Sequence, residues 1–270
     1  MRATPYKGNA VFYGNFGETT VLASTINKDH TKVVPDSRST AQKKVQVEEM
    51  FDNISGKYDF LNRVLSLGID KGWRKKVIEA LAPTNPQRIL DIATGTGDLA
   101  IDLAKLNPIS ITGIDISEQM LAVGRIKVLS AHLENLIKLE RADSENLHYA
   151  EGSFDTVTVS FGVRNFEDLN VGLGEIYRVL EKDGTIAILE FSQPPGKFFR
   201  RLYYLYLQYV LPTIGKVLSQ DNRAYAYLAE SVRAFPSGKK FIEHMGSAGF
   251  INTRFIELTW GICTLYIGKK

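Results

Sequence analysis

The chain has 270 residues, enough for one large domain or two small ones around a substantial core. Hydrophobic residues at 44% and charged residues at 23% are ordinary for a soluble globular protein, and a formal charge of +3 is too mild to argue for a nucleic-acid partner. The single cysteine, Cys263, excludes an internal disulfide and a cysteine-rich metal site, and it fits a reducing, cytoplasmic compartment. Four histidines without ligand spacing argue for no metal. No apolar run reaches the ~18 residues of a membrane span, and the first residues lack the apolar core of a signal peptide.

Residues 1–40 mix Gly, Thr, Ser, Asn and Lys without a sustained period and read as a flexible arm, or as sequence upstream of the natural start. From Ala41 the character changes. Val45, Val47, Met50, Phe51 and Ile54 lie near helical spacing, an apolar turn follows at Leu65 to Ile69, and Trp73-Arg74-Lys75-Lys76 starts another helix that stops by Pro83. Residues 41–82 are therefore expected to form a helical cap over the carboxyl edge of a sheet built from residues 83–270.

That sheet opens at Arg88 to Ala100, which reads RILDIATGTGDLA. The end of a short buried strand, the turn Thr94-Gly95-Thr96-Gly97, and a helix from Asp98 follow one another directly. This geometry brings backbone N–H groups against a nucleotide-like ligand. Gly95, Gly97 and Ala100 satisfy the G-x-G-x-x-G/A spacing of a dinucleotide site, so the turn alone is ambiguous. Asp91 tips the balance: a carboxylate at the strand end repels a pyrophosphate but suits the ammonium and sulfonium charges of S-adenosylmethionine. Asp115, at the tip of the next apolar run, is placed to accept the ribose hydroxyls.

Strands and helices then alternate. Ser110 to Ile116 is a strand, Glu118 to Leu129 a helix capped by Ser117, Leu136 to Leu139 a short strand, and Phe154 to Phe161 a β-branched strand. Val171 to Leu180 is a helix and Thr185 to Phe191 a fifth strand. The pattern implies a parallel sheet with helices on both faces, and it sets Asp91, Asp115, Asp143 and Ser160 at the carboxyl ends where such sheets bind ligands. An insertion spans about 195–235. Within it, Phe198 to Leu218 reads FFRRLYYLYLQYVLPTIGKVL, either a buried helix or an interfacial one facing a greasy substrate at a membrane. A helix from Gly238 to Ala248 and a hairpin of Ile251 to Leu258 with Ile262 to Ile267 close the chain. The closing hairpin weighs against hydride transfer.

Several blocks resemble the quinone C-methyltransferases, the family of demethylmenaquinone and 2-polyprenylbenzoquinol methyltransferases: MFDNISGKYDFLNRVLSLGIDKGWRKK, LDIATGTGDLA, VSFGVRNFED, RVLEKDGTIAILEFSQP and YLAESVRAFPSGKKF. The resemblance runs from about Val45 to the C-terminus. It implies a class I S-adenosylmethionine-dependent methyltransferase fold, a Rossmann-like seven-stranded sheet ending in an antiparallel hairpin. It also implies S-adenosylmethionine as donor and a prenylated hydroquinone as acceptor. Cofactor contacts then fall on Asp91, Gly95, Thr96, Gly97, Asp115, Asp143, Ser144 and Ser160. Ala93 stands where methyltransferases commonly carry a glycine. Among the catalytic candidates, Arg164 is too basic to be a conventional base and is assigned to stabilising the phenolate or polarising a water, while Asn165 orients the quinol oxygen. Asp143 accepts the proton through water or serves only on the adenine side, and Tyr58 resembles the family's substrate-facing tyrosine. The expected reaction is demethylmenaquinol methylation, with a ubiquinol precursor as the alternative acceptor. A nicotinamide-dependent oxidoreductase and a non-catalytic lipid- or cofactor-binding scaffold are competing classes. Peripheral contact with the inner face of the cell membrane and a homodimer complete the expectations.

Overall fold

The computed structural model describes residues 11–12, 33–66, 68–206 and 223–270. Eight strands form one sheet: β1 (Val11–Phe12), β2 (Arg88–Ile92), β3 (Ser110–Asp115), β4 (Ile137–Arg141), β5 (Phe154–Ser160), β6 (Leu180–Phe191), β7 (Ile251–Leu258) and β8 (Cys263–Lys269). Their spatial order is β1-β7-β8-β6-β5-β2-β3-β4. Strands β4, β3, β2, β5 and β6 pair in parallel, and β8 runs antiparallel to both of its neighbours, β6 and β7. The seven longer strands make the mixed methyltransferase sheet. Strand β1 adds two residues at the edge, Val11 opposite Phe255 and Phe12 opposite Arg254, within the segment read as a flexible arm. The rest of residues 1–32 lies outside the described residues.

The helices are α1 (Lys43–Ile54), α2 (Tyr58–Leu65), α3 (Asp70–Leu81), α4 (Asp98–Leu103), α5 (Glu118–Ser130), α6 (Leu169–Val179), α7 (Lys197–Leu205), α8 (Arg223–Ala234) and α9 (Lys239–Ser247). Caps fix two of the starts. Ser117 Oγ accepts from Met120 N at 3.1 Å to open α5. Asp168 accepts from Asn170 N at 2.8 Å and Val171 N at 3.2 Å, which begins α6 at Leu169, two residues before the periodicity does. Strand β6 is longer than expected because Leu180 already pairs with Phe154, and a register shift follows before Thr185 meets Thr156. Strand β4 runs to Arg141, past the expected Leu139, because Glu140 and Arg141 still pair with Ile114 and Asp115 although neither is apolar.

Residues alternate across β2 into two cores. Leu90 and Ile92 join Val157, Val159, Leu173, Ile176, Phe241 and Met245 on one face. Ile89 joins Leu99, Leu103, Leu121, Leu189 and Leu265 on the other. Both faces are covered, as a parallel sheet requires. Trp73, Val77 and Leu81 belong to the second core, so α3, expected in the cap, packs on the face of the sheet. Helices α1 and α2 lie over its carboxyl edge, where Val47 and Met50 pack with Tyr227 of α8. Strand order reverses between β5 and β3 on either side of β2, and the site opens there.

Candidate active site

Two cavities meet above the ends of β2, β3 and β5. The smaller, about 80 Å³, is lined by Asp115, Asp143, Ser144 and Asn165 among others; the larger, about 500 Å³, by Asp91, Thr96, Arg164 and a wall of aromatic and aliphatic side chains. Phe51, Tyr58, Ala93, Gly95, Ser160 and Phe161 line both, so one elongated ligand can occupy the two together.

The turn between β2 and α4 is left-handed at three residues: Ala93 (φ 53°), Gly95 (φ 57°) and Gly97 (φ 77°). Two are glycines because only glycine takes this conformation without a Cβ penalty; Ala93 bears it at a cost of about 1 kcal/mol. A Cβ at Gly162 would lie 2.4 Å from that of Ala93, so the methyl of Ala93 fills the space beside a residue that has none. The turn presents Gly95 N to Asp115 Oδ2 at 2.8 Å, while Asp115 Oδ1 accepts from Ser117 N at 2.9 Å. Asp91, wholly buried, accepts from the hydroxyls of Thr94 and Thr158, each at 2.6 Å. Burial pushes both carboxylic acids up to about 6, against the pull of these hydrogen bonds.

Helices α1 and α2 are fastened over the small cavity. Lys44 Nζ pairs with Asp143 at 2.6 Å, Arg141 with Glu48 at 2.5 Å, Ser117 Oγ donates to Asp52 at 2.5 Å, and Thr96 Oγ1 donates to Asp59 at 2.5 Å. Lys43 Nζ, buried, donates to the carbonyl of Phe166 at 2.8 Å, and desolvation lowers its pKa to about 8.

On the large cavity Arg164 is only 7% exposed. Its Nη1 donates to Glu190 Oε1 at 2.8 Å and to the Phe161 carbonyl at 2.5 Å, and its guanidinium lies 5.5 Å from the Phe191 ring centroid. Its Nε is buried without a partner. Such an orphan buried donor is costly to keep. Trp73, Phe161 and Phe191 pack against one another with centroids 4.5–6.0 Å apart and form the aromatic wall beside it. Phe161 is held at φ 57°, a strained backbone beside the site. Burial raises the Tyr58 phenol.

All the expected site residues lie at this edge, but they divide between the cavities. Asp91, Thr96 and Arg164 face the large one; Asp115, Asp143, Ser144 and Asn165 face the small one; Tyr58, Gly95 and Ser160 border both. Gly97 lines neither and opens α4 instead. Asn165 Oδ1 accepts from the Tyr227 hydroxyl at 3.1 Å, and Asp143 is held by Lys44, so neither is brought to the large cavity. Reading the sequence missed Glu190. Its signal was a carboxylate embedded in TIAILEF, which an inner strand tolerates only if paired.

The family profile described as the ubiE/COQ5 methyltransferase family matches residues 39–270. The demethylmenaquinone methyltransferase of Bacteroides fragilis is 46% identical over 246 residues, 91% of this chain and 100% of that protein. The ubiquinone/menaquinone biosynthesis C-methyltransferase UbiE of Geotalea daltonii is 45% identical over 231 residues, 85% and 98% of the two chains. Among solved structures, a SAM-dependent methyltransferase of Thermotoga maritima superposes with a TM-score of 0.59 at 19% identity, covering 82% of this chain and 99% of that one. Phosphoethanolamine N-methyltransferase 2 of Haemonchus contortus, in complex with S-adenosyl-L-methionine, gives 0.51 at 17% identity, covering 68% and 48%. At those identities the likeness is one of fold.

Proposed function

The chain belongs to the ubiE/COQ5 methyltransferase family, and from that premise we propose that it C-methylates demethylmenaquinol to menaquinol, the last step of menaquinone synthesis, with S-adenosylmethionine as donor. The observation that carries the reading is the buried Arg164, with an unpartnered Nε, on an aromatic cavity continuous with a carboxylate-rich one.

The donor set suits the cofactor. Asp91 would hold the ammonium, having lone pairs to spare beyond its two threonine bonds, and Asp115 would accept the ribose hydroxyls. Asp143 and Ser144 border the adenine side. When bound, S-adenosylmethionine supplies a cationic methyl donor whose sulfur–carbon bond breaks as the acceptor ring carbon attacks.

The chain's own part is to make that carbon nucleophilic. A neutral quinol carbon is weak, and loss of the adjacent phenolic proton, with an ordinary pKa near 10, makes it strong. The Arg164 guanidinium, on the cavity wall, would stabilise the phenolate by its charge, and Glu190 holds it in place through Nη1. The phenolic proton passes to solvent, through water to Asp143 in one route, and after the new carbon–carbon bond forms the ring proton moves through water to the ring oxygen, which restores the aromatic quinol. Trp73, Phe161 and Phe191 hold the ring and exclude water, and such positioning supplies much of the rate. Peripheral contact with the inner face of the membrane belongs to the same reading, because the acceptor is a prenyl lipid; among the described residues no helix is long and apolar enough to cross a membrane.

Incubation with methyl-labelled S-adenosylmethionine and reduced demethylmenaquinone tests it. Label in the lipid for the wild type and a large loss for Arg164→Lys are expected. Cofactor binding with no transfer to this quinol, but transfer to 2-polyprenyl-6-methoxy-1,4-benzoquinol, moves the assignment to ubiquinone synthesis, the reading that the name of the Geotalea relative also admits. Absence of cofactor binding overturns both.

A further inference from the structure

Exposed apolar side chains border the large cavity. Phe198, Leu202 and Leu205 fall at i, i+4 and i+7 on α7, with Phe199 beside them, and all four are exposed. The opposite face of α7 is anchored: Tyr203 is buried against Ala229 and Val232 of α8. Trp260, 72% exposed, stacks on Phe199 with ring centroids 5.7 Å apart and planes 12° from parallel. Phe199, Leu202 and Trp260 also line the large cavity, so the exposed apolar stripe is continuous with its interior.

The turn carrying Trp260 is a made feature. Thr259 (φ 47°), Trp260 (φ 55°) and Gly261 (φ 85°) are all left-handed. Ser192 Oγ donates to the carbonyl of Gly261 at 2.8 Å, and Pro195 lies so close to Gly261 that a Cβ there would meet it at 2.6 Å. A large aromatic is thus held outward, on strained backbone, by the rigid end of the β7–β8 hairpin. Beside the stripe lies a second concavity of about 380 Å³, lined by Lys197, Arg200, Arg201, Tyr204, Leu205 and Arg233, with no carboxylate among them. Arg200 spends its guanidinium on the carbonyls of Pro194 and Pro195, and Arg233 lies over the Tyr204 ring. Lys197 and Arg201 are exposed.

We propose that α7 and the Trp260 turn form a docking face for an anionic phospholipid bilayer, with lipid phosphate taken by Lys197, Arg201 and Arg233 and the apolar stripe sunk among the acyl chains. The inference rests on the prenyl-lipid reading of the acceptor and extends it to where that acceptor is loaded. A tryptophan at the water–hydrocarbon boundary, aliphatics below it and basic residues at phosphate depth is the arrangement an interfacial helix requires. Charge complementarity selects the occupant: a basic concavity flanking an apolar stripe matches phosphate above acyl chains, whereas a protein partner gains nothing from the cavity opening between them. An acceptor with a long prenyl tail can then enter headgroup first while its tail stays in lipid.

The two tryptophans of the chain, buried Trp73 and exposed Trp260, make the test direct. Full-length protein mixed with phosphatidylcholine vesicles containing phosphatidylglycerol should show a blue shift of tryptophan emission and quenching by brominated acyl chains. Trp260→Phe should abolish both. The double variant Lys197→Glu/Arg201→Glu should bind these vesicles at least about tenfold more weakly, yet methylate a water-soluble short-chain demethylmenaquinol as fast as the wild type. Equal binding to neutral vesicles, an unchanged double variant, or a shift that survives Trp260→Phe overturns the proposal. Failure to methylate the short-chain quinol overturns the reading of the reaction instead, and vesicle binding is read independently of it.

Discussion

The small cavity takes its polar atoms from strand ends and from the cap, and nearly every one is already engaged: Asp143 with Lys44, Asp115 with Gly95 and Ser117, Asn165 with Tyr227. The large cavity is about six times the volume and walled largely by aromatic rings, and Arg164, which lines it, leaves its buried Nε without a partner. One side is pre-organised for a charged, hydrophilic ligand of fixed shape. The other is a largely apolar chamber that carries Arg164 and, beside Thr94 and Thr96, the Asp91 carboxylate. The carboxylates read as cofactor contacts and the arginine read as activating the acceptor are distinct groups, and variants of each should fail in different ways.

Arg164→Lys tests the separation most severely. It keeps the charge that balances Glu190 but loses the planar fork, and kcat should fall roughly 100-fold to 1,000-fold with cofactor affinity within about twofold. Calorimetric titration beside steady-state kinetics checks it; a parallel loss of cofactor binding would erase the distinction. Asp91→Asn should do the converse, weakening cofactor binding about 10-fold to 100-fold by removing a charge-assisted contact, with a smaller change in kcat at saturation.

Acidification sharpens the comparison further. Asp91 and Asp115 titrate at about 6 in the fold, above the ordinary carboxylic acid. They serve a cationic, hydroxyl-rich ligand only as carboxylates, so cofactor affinity should drop about tenfold for each of them, about 100-fold together, between pH 7 and pH 5. The ligand-free protein responds in the opposite sense. A raised folded pKa favours the protonated form, so this contribution to stability is full below about pH 4 and is lost as pH rises through 6. For Asp91 it is on the order of 2–3 kcal/mol. Thermal unfolding with and without cofactor should therefore diverge across that window. Lys44→Ala is the mildest change. Its pair with Asp143 is partly exposed and worth little, so the cofactor off-rate should rise only about threefold in stopped-flow measurements.

What could be read from the chain alone follows the same division. Strands β2, β3, β5 and β6 announce themselves as apolar runs, and Asp91, Asp115 and Ser160 are legible because each sits where such a run stops. Exposed edge strand β4 and the Phe154–Leu180 pairing were blurred, since neither carries a continuous apolar signature. The clasp of Asp52 and Asp59 on Ser117 and Thr96 joins residues tens of positions apart, and charges of that kind look like ordinary helix surface until the fold brings them together. Trp260 was passed over as a turn residue because exposure and left-handed backbone leave no periodic trace.

Ala93 and Gly162 hold one methyl group between them. With Ala at 93, a methyl at 162 overlaps it at 2.4 Å, although the backbone of Gly162 (φ −111°) would otherwise accept any residue. Glycine at 93, the residue common in methyltransferases, would relieve a left-handed alanine and vacate that space at once. The two positions are consequently coupled: alanine at 162 is less costly with glycine at 93, and the reverse order passes through an overpacked intermediate destabilised by about 1–3 kcal/mol.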